Sequence, residues 1–453
     1  MRNRLRVVLT SALAALLATG LLVVDAASAQ DVPLPKFNSP FSRVGVGDLV
    51  PFAYSAQLGM GGIGRGYTHT HIASPTNPAS LAALRFTSFQ VGVGLDRSVL
   101  TDGRRENENI NGNLQYLSLS FPLQNQLNQV LDGQERKWRN AMMLALAPYS
   151  NVGYNVELVE RDPDFGQVVN GFRGSGGYYR LQWGNGVEYE DFRAGLNLSY
   201  IFGRTNNQQE VFPRSADSTA FGASLLTDTD ALRARGVEAQ LGFQYDWLLG
   251  GGEDASDPDA RVLTLGLTTR FATQLNGEAT RLLSNQNIFR VVDTLSFERD
   301  ASQRVTLPGQ VGIGAFYRAG RRFGAGFDVS RTAWSNFENS LRSGEDLDDA
   351  LRVAVGAEWT PDAKAYGKFW KRARYRVGGY ANQDPRPGVN PEYGLTFGLG
   401  LPVVRPREEV SYVNLALNAG RYGTDGDISQ RYVRLVVGFT LTDNTWFYKR
   451  RFQ

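Results

Sequence analysis

The sequence predicts an all-β protein, a transmembrane antiparallel β-barrel of about 14 strands with an N-terminal plug, or hatch. First, apolar residues alternate with small or polar ones from Phe86 onward, which is typical of strands with one lipid-facing side. Second, no stretch after Val24 approaches the ~20 apolar residues that a membrane-spanning helix needs. Third, long polar connections alternate with shorter ones, as in outer-membrane barrels.

The N-terminus predicts export. Three arginines within the first six residues precede an apolar stretch from Val7 to Val24. Ala27-Ser28-Ala29 fits the small-residue cleavage pattern, so we expect residues 1–29 to be a cleavable signal peptide. The alternative is an uncleaved anchor, because the apolar stretch is nearly long enough to span a bilayer.

Residues 30–85 predict the plug. They contain six prolines and the glycine-rich run Gly59–Gly66, and they lack sustained period-two alternation. They are nevertheless too apolar for a disordered tail. We therefore expect an irregular, compact segment inside the barrel, where protein and water can satisfy its backbone.

Residues 86–453 predict the barrel wall. Val311–Tyr317 and Phe323–Trp334 alternate on either side of a short turn and form a predicted hairpin. The longest polar connections are expected after odd-numbered wall strands: Asn151–Gly176, Arg204–Ala234 and Gln274–Arg304. Aromatic residues near strand ends predict girdles at the membrane interfaces: Trp247, Trp334, Trp359 and residues 446–448. The alternative fold is a periplasmic protein of two packed sheets, which would also alternate.

Composition excludes several classes of function. The net charge of +3 gives no reason to expect a nucleic-acid partner. The chain has no cysteine, so an exported protein of this size must be held together by its sheet and its core. Arginine greatly outnumbers lysine, with 6 lysines among 48 basic residues. This bias reflects either genomic base composition or partners that carry carboxylate or phosphate groups.

Candidate chemistry is sparse. His69 and His71 are the two histidines, and on a strand their spacing would place both on one face, where they could hold a metal ion. We interpret them instead as polar residues of the plug, because no cysteine accompanies them and threonines flank them. A catalytic triad would need a histidine base near a nucleophile. We therefore predict no enzyme activity, no metal and no cofactor.

Seven arginines fall on the inward-facing parity of the predicted strands. They could attract the carboxylate head group of a ligand. More often such residues pair with inward-facing acids such as Asp246, Asp328 and Glu358, and this is the interpretation that we favour. The seven are Arg180, Arg193, Arg270, Arg352, Arg374, Arg376 and Arg434.

Three motifs in order resemble the FadL-type outer-membrane transporters of long-chain fatty acids and aromatic hydrocarbons. They are Asn77-Pro78-Ala79 before the first wall strand, Leu307-Pro308 opening a strand, and the Trp-Ser-x-Phe element Trp334–Phe337. The resemblance implies a fourteen-stranded barrel with an N-terminal hatch, in which Asn77, Pro78 and Ala79 form the gate. The chain departs from the family by ending on Phe452-Gln453 and by its longer periplasmic turns.

Taken with the resemblance, the residues predict a channel of the Gram-negative outer membrane for passive uptake of hydrophobic small molecules such as long-chain fatty acids or hydrocarbons. Its partners would be that ligand and the surrounding lipid. The alternative is a barrel scaffold for protein secretion or surface assembly, because the resembled family includes the PorV-like secretion proteins. A channel requires a continuous internal pocket, whereas a scaffold can have a filled lumen.

Overall fold

The structure is a computed structural model that describes residues 39–103, 105–124, 137–162, 166–214, 225–252, 255, 257, 259–286, 292–342, 344–363, 365, 368–404, 410–424 and 428–443. The expected signal peptide and the aromatic residues 446–448 lie outside these ranges. The strands are β1 Asp48–Leu49, β2 Thr87–Thr101, β3 Glu106–Pro122, β4 Trp138–Asp162, β5 Gly166–Tyr189, β6 Phe192–Arg214, β7 Leu225–Gly250, β8 Arg261–Arg270 and β9 Thr273–Gln286. They continue with β10 Val292–Leu307, β11 Gln310–Ala319, β12 Phe323–Thr332, β13 Glu338–Asn339, β14 Ala350–Trp359, β15 Arg374–Asn382, β16 Val389–Val404, β17 Val410–Thr424 and β18 Ser429–Asp443.

Helices are few and short among the described residues. Two short α-helices are α1 Ser55–Leu58 and α2 Phe369–Arg372. Three 3₁₀ helices lie at Pro40–Arg43, Pro78–Ala83 and Trp334–Asn336. None of the described helices is long and apolar enough to cross a membrane.

The strands form a closed antiparallel barrel of fourteen wall strands, as predicted. Closure occurs where β18 pairs with β2, in register from Ser429 opposite Thr101 to Asp443 opposite Thr87. The wall has fourteen strands because β8 with β9, β10 with β11, and β12 with β13 each form one interrupted wall strand. Pro308, which has no N–H to donate to the ladder, interrupts the second of these between β10 and β11.

The outward face of β7 shows the lipid-facing band. Val237 and Trp247 are 59% and 56% exposed, whereas the inward-facing Glu238 and Asp246 are buried. Arg235, which is exposed on the same outward face, marks one border of the band. The alternation predicted for this strand therefore holds, and its apolar stretch matches the ~25 Å apolar belt of outer-membrane barrels.

The expected long loops are largely strand. Within the predicted connection Asn151–Gly176, β4 continues to Asp162 and β5 begins at Gly166. The other two long connections likewise contain extensions of β6 with β7 and of β9 with β10. Alternation fails to detect these extensions because their outward faces meet water instead of lipid and are no longer apolar. We assign the end with the tall hairpins to the extracellular side and the opposite end to the periplasm.

The interior is packed with side chains from the wall and the N-terminal segment, residues 39–85. Near the extracellular end, Val46 of that segment lies in a buried apolar cluster with Ile201 and Leu307. Trp334 and Phe337 belong to the same cluster. The prediction that Trp334 sits in an interfacial girdle is therefore wrong, because the wall is interrupted after Thr332 and the chain turns inward there.

We expect Leu241→Arg to destabilise the barrel by about 2–4 kcal/mol, because it places a charge near the middle of the lipid band. The matched control is Ala231→Arg, which is on the same face of β7 but beyond Arg235. It should cost less than about 1 kcal/mol. Folding titrations in lipid vesicles measure both values, and equal costs at the two positions would contradict the assigned band.

Candidate functional site

The N-terminal segment lies against inward-facing glycines of many wall strands. A Cβ on Gly266 of β8 would be 2.0 Å from the carbonyl oxygen of Arg65. A Cβ on Gly195 of β6 would be 2.4 Å from Pro78, and one on Gly378 of β15 would be 2.4 Å from Met60. These approaches leave no room for a side chain, so the wall needs glycine at these positions. The segment therefore packs backbone to backbone against the wall on several sides.

Asn77-Pro78-Ala79 starts the 3₁₀ helix that leads to β2. The Asn77 side-chain oxygen accepts a hydrogen bond of 3.0 Å from the Ala79 N–H and caps the helix. Its amide nitrogen donates to the carbonyl oxygens of Arg65, at 2.7 Å, and of Phe243 in β7, at 3.2 Å. Asn77 is fully buried and ties the N-terminal segment both to itself and to the wall.

A buried ion pair also holds this segment. Asp328 of β12 accepts hydrogen bonds from the backbone N–H groups of Gly64, at 2.9 Å, and Arg65, at 3.1 Å. The Arg65 guanidinium lies 3.3 Å from the same carboxylate and donates to Thr268 at 3.0 Å. Sequence reasoning identified Asp328 as inward-facing but missed Arg65, although its position between two glycines was a signal.

The wall is open on one side between β3 and β4. These strands pair only from Leu117 opposite Leu146 to Pro122 opposite Ala141. Beyond that level β3 is paired with β2 alone. Among the wall strands, β4 is there paired with β5 alone. The pairing ends where β3 has a register shift against β2 and where Pro148 begins a bulge in β4.

The N-terminal segment occupies part of this opening. Strand β1 pairs with the edge of β4 that β3 leaves free, with Asp48 opposite Asn151. The apolar run Leu49-Val50-Pro51-Phe52 begins at the last residue of β1, and Leu49 is 45% exposed. On the β3 side, Leu114 and Ile110 face outward and are 40% and 68% exposed. The opening therefore has apolar borders at the level of the outer leaflet.

A central chamber of about 390 Å³ adjoins the opening. Its lining includes Asn109 and Asn111 of β3, Asn151 of β4, and the apolar run from Leu49 to Phe52. The N-terminal segment also contributes Gly61, Gly62 and Arg65 to the lining. The chamber is mixed in character, with polar wall residues facing an apolar border on the segment.

Five of the seven predicted lumenal arginines have carboxylate partners. Glu188 and Asp246 pair with Arg193, Glu238 with Arg270 at 3.5 Å, Glu358 with Arg374 at 3.8 Å and Arg376 at 3.3 Å, and Asp96 with Arg434 at 2.7 Å. Each of these arginines would be costly to bury without its acid. Their positions are therefore accounted for by ion pairs within the barrel.

The other two, Arg180 and Arg352, line the chamber and make no ion pair with a described residue. Arg180 lies over the rings of Tyr149, at 4.6 Å, and Phe52, at 5.4 Å, and its Nε has no hydrogen-bond partner among the described residues. Arg352 lies 4.3 Å from the ring centre of Tyr380 and donates to the carbonyl oxygen of Gly61 at 2.8 Å. These two guanidinium groups retain donors for an anionic ligand.

His69 and His71 lie near the periplasmic end of the segment. The His69 Nδ1 accepts a hydrogen bond of 3.1 Å from the backbone N–H of His71, and the His71 ring stacks on Phe86 at 4.4 Å. Burial and the nearby Arg374 lower the pKa of His71 to about 4, and burial lowers the pKa of His69 well below its usual value. No group of three or more potential metal ligands occurs among the described residues.

The fold and its interior define an outer-membrane β-barrel with a packed N-terminal segment. A family model named BamG matches residues 14–453, and the chain therefore belongs to the BamG family. No curated protein matches the sequence.

Solved structures of similar fold are hydrocarbon channels and a FadL homologue. The toluene transporter TodX of Pseudomonas putida is 16% identical with a TM-score of 0.55, over 87% of this chain and 99% of that one. The toluene transporter TbuX of Ralstonia pickettii is 14% identical with a TM-score of 0.53, over 87% and 98%. A Pseudomonas aeruginosa FadL homologue is 12% identical with a TM-score of 0.53, over 88% and 99%. At these identities the likeness establishes the fold.

We expect Asn77→Ala to loosen the N-terminal segment while leaving the barrel folded, because it removes the helix cap and two hydrogen bonds to buried carbonyls. The loss should be about 1–3 kcal/mol of local stability. Hydrogen exchange of residues 74–84 measures it, and Asn109→Ala in the chamber lining is the control. Unchanged exchange in Asn77→Ala would show that this residue does not anchor the segment.

Acid should loosen the same segment. His69 and His71 are neutral when folded, and an unfolded histidine has a pKa of about 6.5. The stability that the segment gains from keeping these rings neutral is therefore fully present above that pH. It is lost as the pH falls towards about 4, the pKa of folded His71. The protection factors of residues 67–73, which correct for the slower intrinsic exchange of amides in acid, should fall between pH 7 and 5. They should fall less in His71→Phe, which keeps the stacking on Phe86. An equal fall in both proteins would rule out His71 as the cause.

Proposed function

We propose that this protein is an outer-membrane channel for passive uptake of small hydrophobic molecules, which leave the barrel sideways into the bilayer. The observation that carries the proposal is the central chamber beside the opening between β3 and β4. An apolar cargo that reaches the chamber meets the borders formed by Leu49 and Pro51 before it meets lipid. Transfer of apolar surface from water to that border and then to lipid is favourable at each step.

The N-terminal segment makes the sideways route preferable to a straight one. Its contacts with Gly195, Gly266 and Gly378, and the hydrogen bonds of Asn77, hold it against several wall strands below the chamber. A straight path would have to break these contacts together. In this proposal the segment is the floor that directs cargo to the opening, and residues 30–85 act as a plug.

Arg180 and Arg352 indicate which class of hydrophobic cargo the chamber suits. Both guanidinium groups line the chamber, and neither makes an ion pair with a described carboxylate. A fatty acid would place its carboxylate on one of them and its tail along Leu49 and Phe52. We therefore propose that long-chain fatty acids are taken up, as well as neutral hydrocarbons of the kind named for the toluene transporters of similar fold. The proposal includes export by the N-terminal signal peptide and no enzyme activity.

The second candidate is a scaffold for protein secretion or surface assembly. It is favoured by the tall hairpins of β4 to β7, which continue the wall well beyond the lipid band. It is also compatible with an interior that is packed on most sides of the N-terminal segment. A scaffold would need neither the chamber nor the opening.

The absence of cysteine allows a site-specific block of the opening. Leu49→Cys, labelled with a bulky maleimide, should lower the uptake rate of labelled toluene and of a labelled fatty acid at least tenfold. The assay uses cells with a lipopolysaccharide outer leaflet that lack their own uptake channel. The control is Asp102→Cys with the same label, at the exposed turn between β2 and β3.

The outcomes separate the routes and the functions. Arg180→Gln should lower fatty-acid uptake and spare toluene. If the label on Leu49→Cys leaves uptake unchanged, the opening is not the exit. If no uptake depends on the protein, it is not a channel and the scaffold interpretation is favoured.

A further inference from the structure

One periplasmic connection combines aromatic and basic side chains in a way that the proposed channel does not use. The chain has 6 lysines, and three of them fall within residues 364–371. Among the described residues there, Lys368, Phe369, Trp370 and Lys371 are all exposed. Trp370 is 62% exposed, the most of any tryptophan that the structure describes.

The backbone of this connection is fixed against the end of the wall. The Tyr375 hydroxyl donates to the carbonyl oxygen of Trp370 at 3.1 Å, and the N–H of Asp362 donates to that of Lys371 at 2.8 Å. These bonds hold the helical turn α2 between β14 and β15. The exposure of Phe369 and Trp370 is therefore a property of an anchored element.

The aromatic residues continue the lipid-facing surface of the barrel. Trp359, at the end of β14, is 53% exposed and its ring lies 5.9 Å from that of Tyr375. Phe323, opposite Trp359 in the adjacent strand, is 43% exposed. Phe369 and Trp370 extend this belt past the strand ends, at the depth where aromatic rings prefer the interface of a bilayer.

The basic residues supply the charge that such an interface attracts. Neither Lys368 nor Lys371 makes an ion pair with a described residue, and the Nε of Arg372 has no hydrogen-bond partner among them. Arg321 and Arg322 lie on the neighbouring turn, whose Arg322 carbonyl accepts a hydrogen bond of 2.7 Å from Thr360. Asp259 and Asp362 lie beside those two arginines, which likewise make no ion pair with a described residue, so the turn and its neighbour share an excess of positive charge.

We propose that this turn, Lys368–Arg372, binds anionic phospholipid in the inner leaflet of the outer membrane. Phe369 and Trp370 insert at the boundary between head groups and acyl chains. Lys368 and Lys371 contact the phosphate groups of lipids that carry a net negative charge. The turn thereby fixes the barrel in depth and selects the lipid around this part of the wall.

The full-length protein, reconstituted in phosphatidylcholine vesicles, provides the test. Brominated phosphatidylcholine or brominated phosphatidylglycerol quenches the fluorescence of Trp370, which is isolated by difference from Trp370→Phe. Half-quenching should occur at a concentration of brominated phosphatidylglycerol at least about fivefold lower than that of brominated phosphatidylcholine. One lysine near an anionic surface contributes about that factor in affinity. The double variant Lys368→Gln/Lys371→Gln should lose this preference.

The matched control is Lys137→Gln on another periplasmic turn, where the lysine pairs with Glu190 at 3.1 Å. It should keep the preference. Replacing chloride by inorganic phosphate at constant ionic strength should also keep it, because the partner is a lipid surface. The proposal is overturned if neither lipid quenches Trp370, or if both lipids quench it equally in the unmodified protein. It is also overturned if Lys137→Gln loses the preference for phosphatidylglycerol as the double variant does, or if free phosphate abolishes that preference.

Discussion

Backbone hydrogen bonding within the bilayer is the constraint on which the rest of this structure depends. A closed barrel satisfies the backbone hydrogen bonds of every strand, and the ladder between β18 and β2 completes that closure. The wall departs from it between β3 and β4, where both strands have free edges at the depth of the outer leaflet. Such edges are tolerated in a membrane only where they line a hydrated cavity or meet protein.

The composition of the chamber follows from that constraint. Strand β1 covers part of the β4 edge, and Asn109 and Asn111 face the chamber on the β3 side. The polar lining that looks unsuited to a hydrophobic cargo is therefore what keeps an open edge stable. The apolar residues needed for passage lie on the N-terminal segment, from Leu49 to Phe52, and on the outward face of β3.

The interior arginines show a second consequence of burial. Arg193, Arg376 and Arg434 reach acids on neighbouring strands, because facing residues of a ladder lie close enough for ion pairs. Arg180 and Arg352 use aromatic rings instead, which leaves donors free in the chamber. Arginine suits both arrangements better than lysine, because its planar group pairs with carboxylates and also stacks on rings.

Alternation predicted the barrel and its strand number because lipid on one side and lumen on the other impose a period of two. It could not predict that β3 leaves β4 on the N-terminal side of Leu117, because β3 remains a strand there and is paired with β2 alone across a register shift. It also missed the strand extensions above Arg235, whose outward faces meet water instead of lipid. It missed the partnership of Arg65 with Asp328 as well, because that pair joins distant parts of the chain. Asn77 was identified through a motif, but its bond to Phe243 of β7 depends on the folded barrel.

The most direct test of the sideways route is the location of a heavy-atom-labelled hydrocarbon in the barrel. Crystals soaked with an iodinated alkane should show anomalous peaks in the chamber and along Leu49–Phe52, between β3 and β4. Peaks between Asn77–Ala79 and the wall of β6 and β7 would contradict the account, because they would place the path through the N-terminal segment.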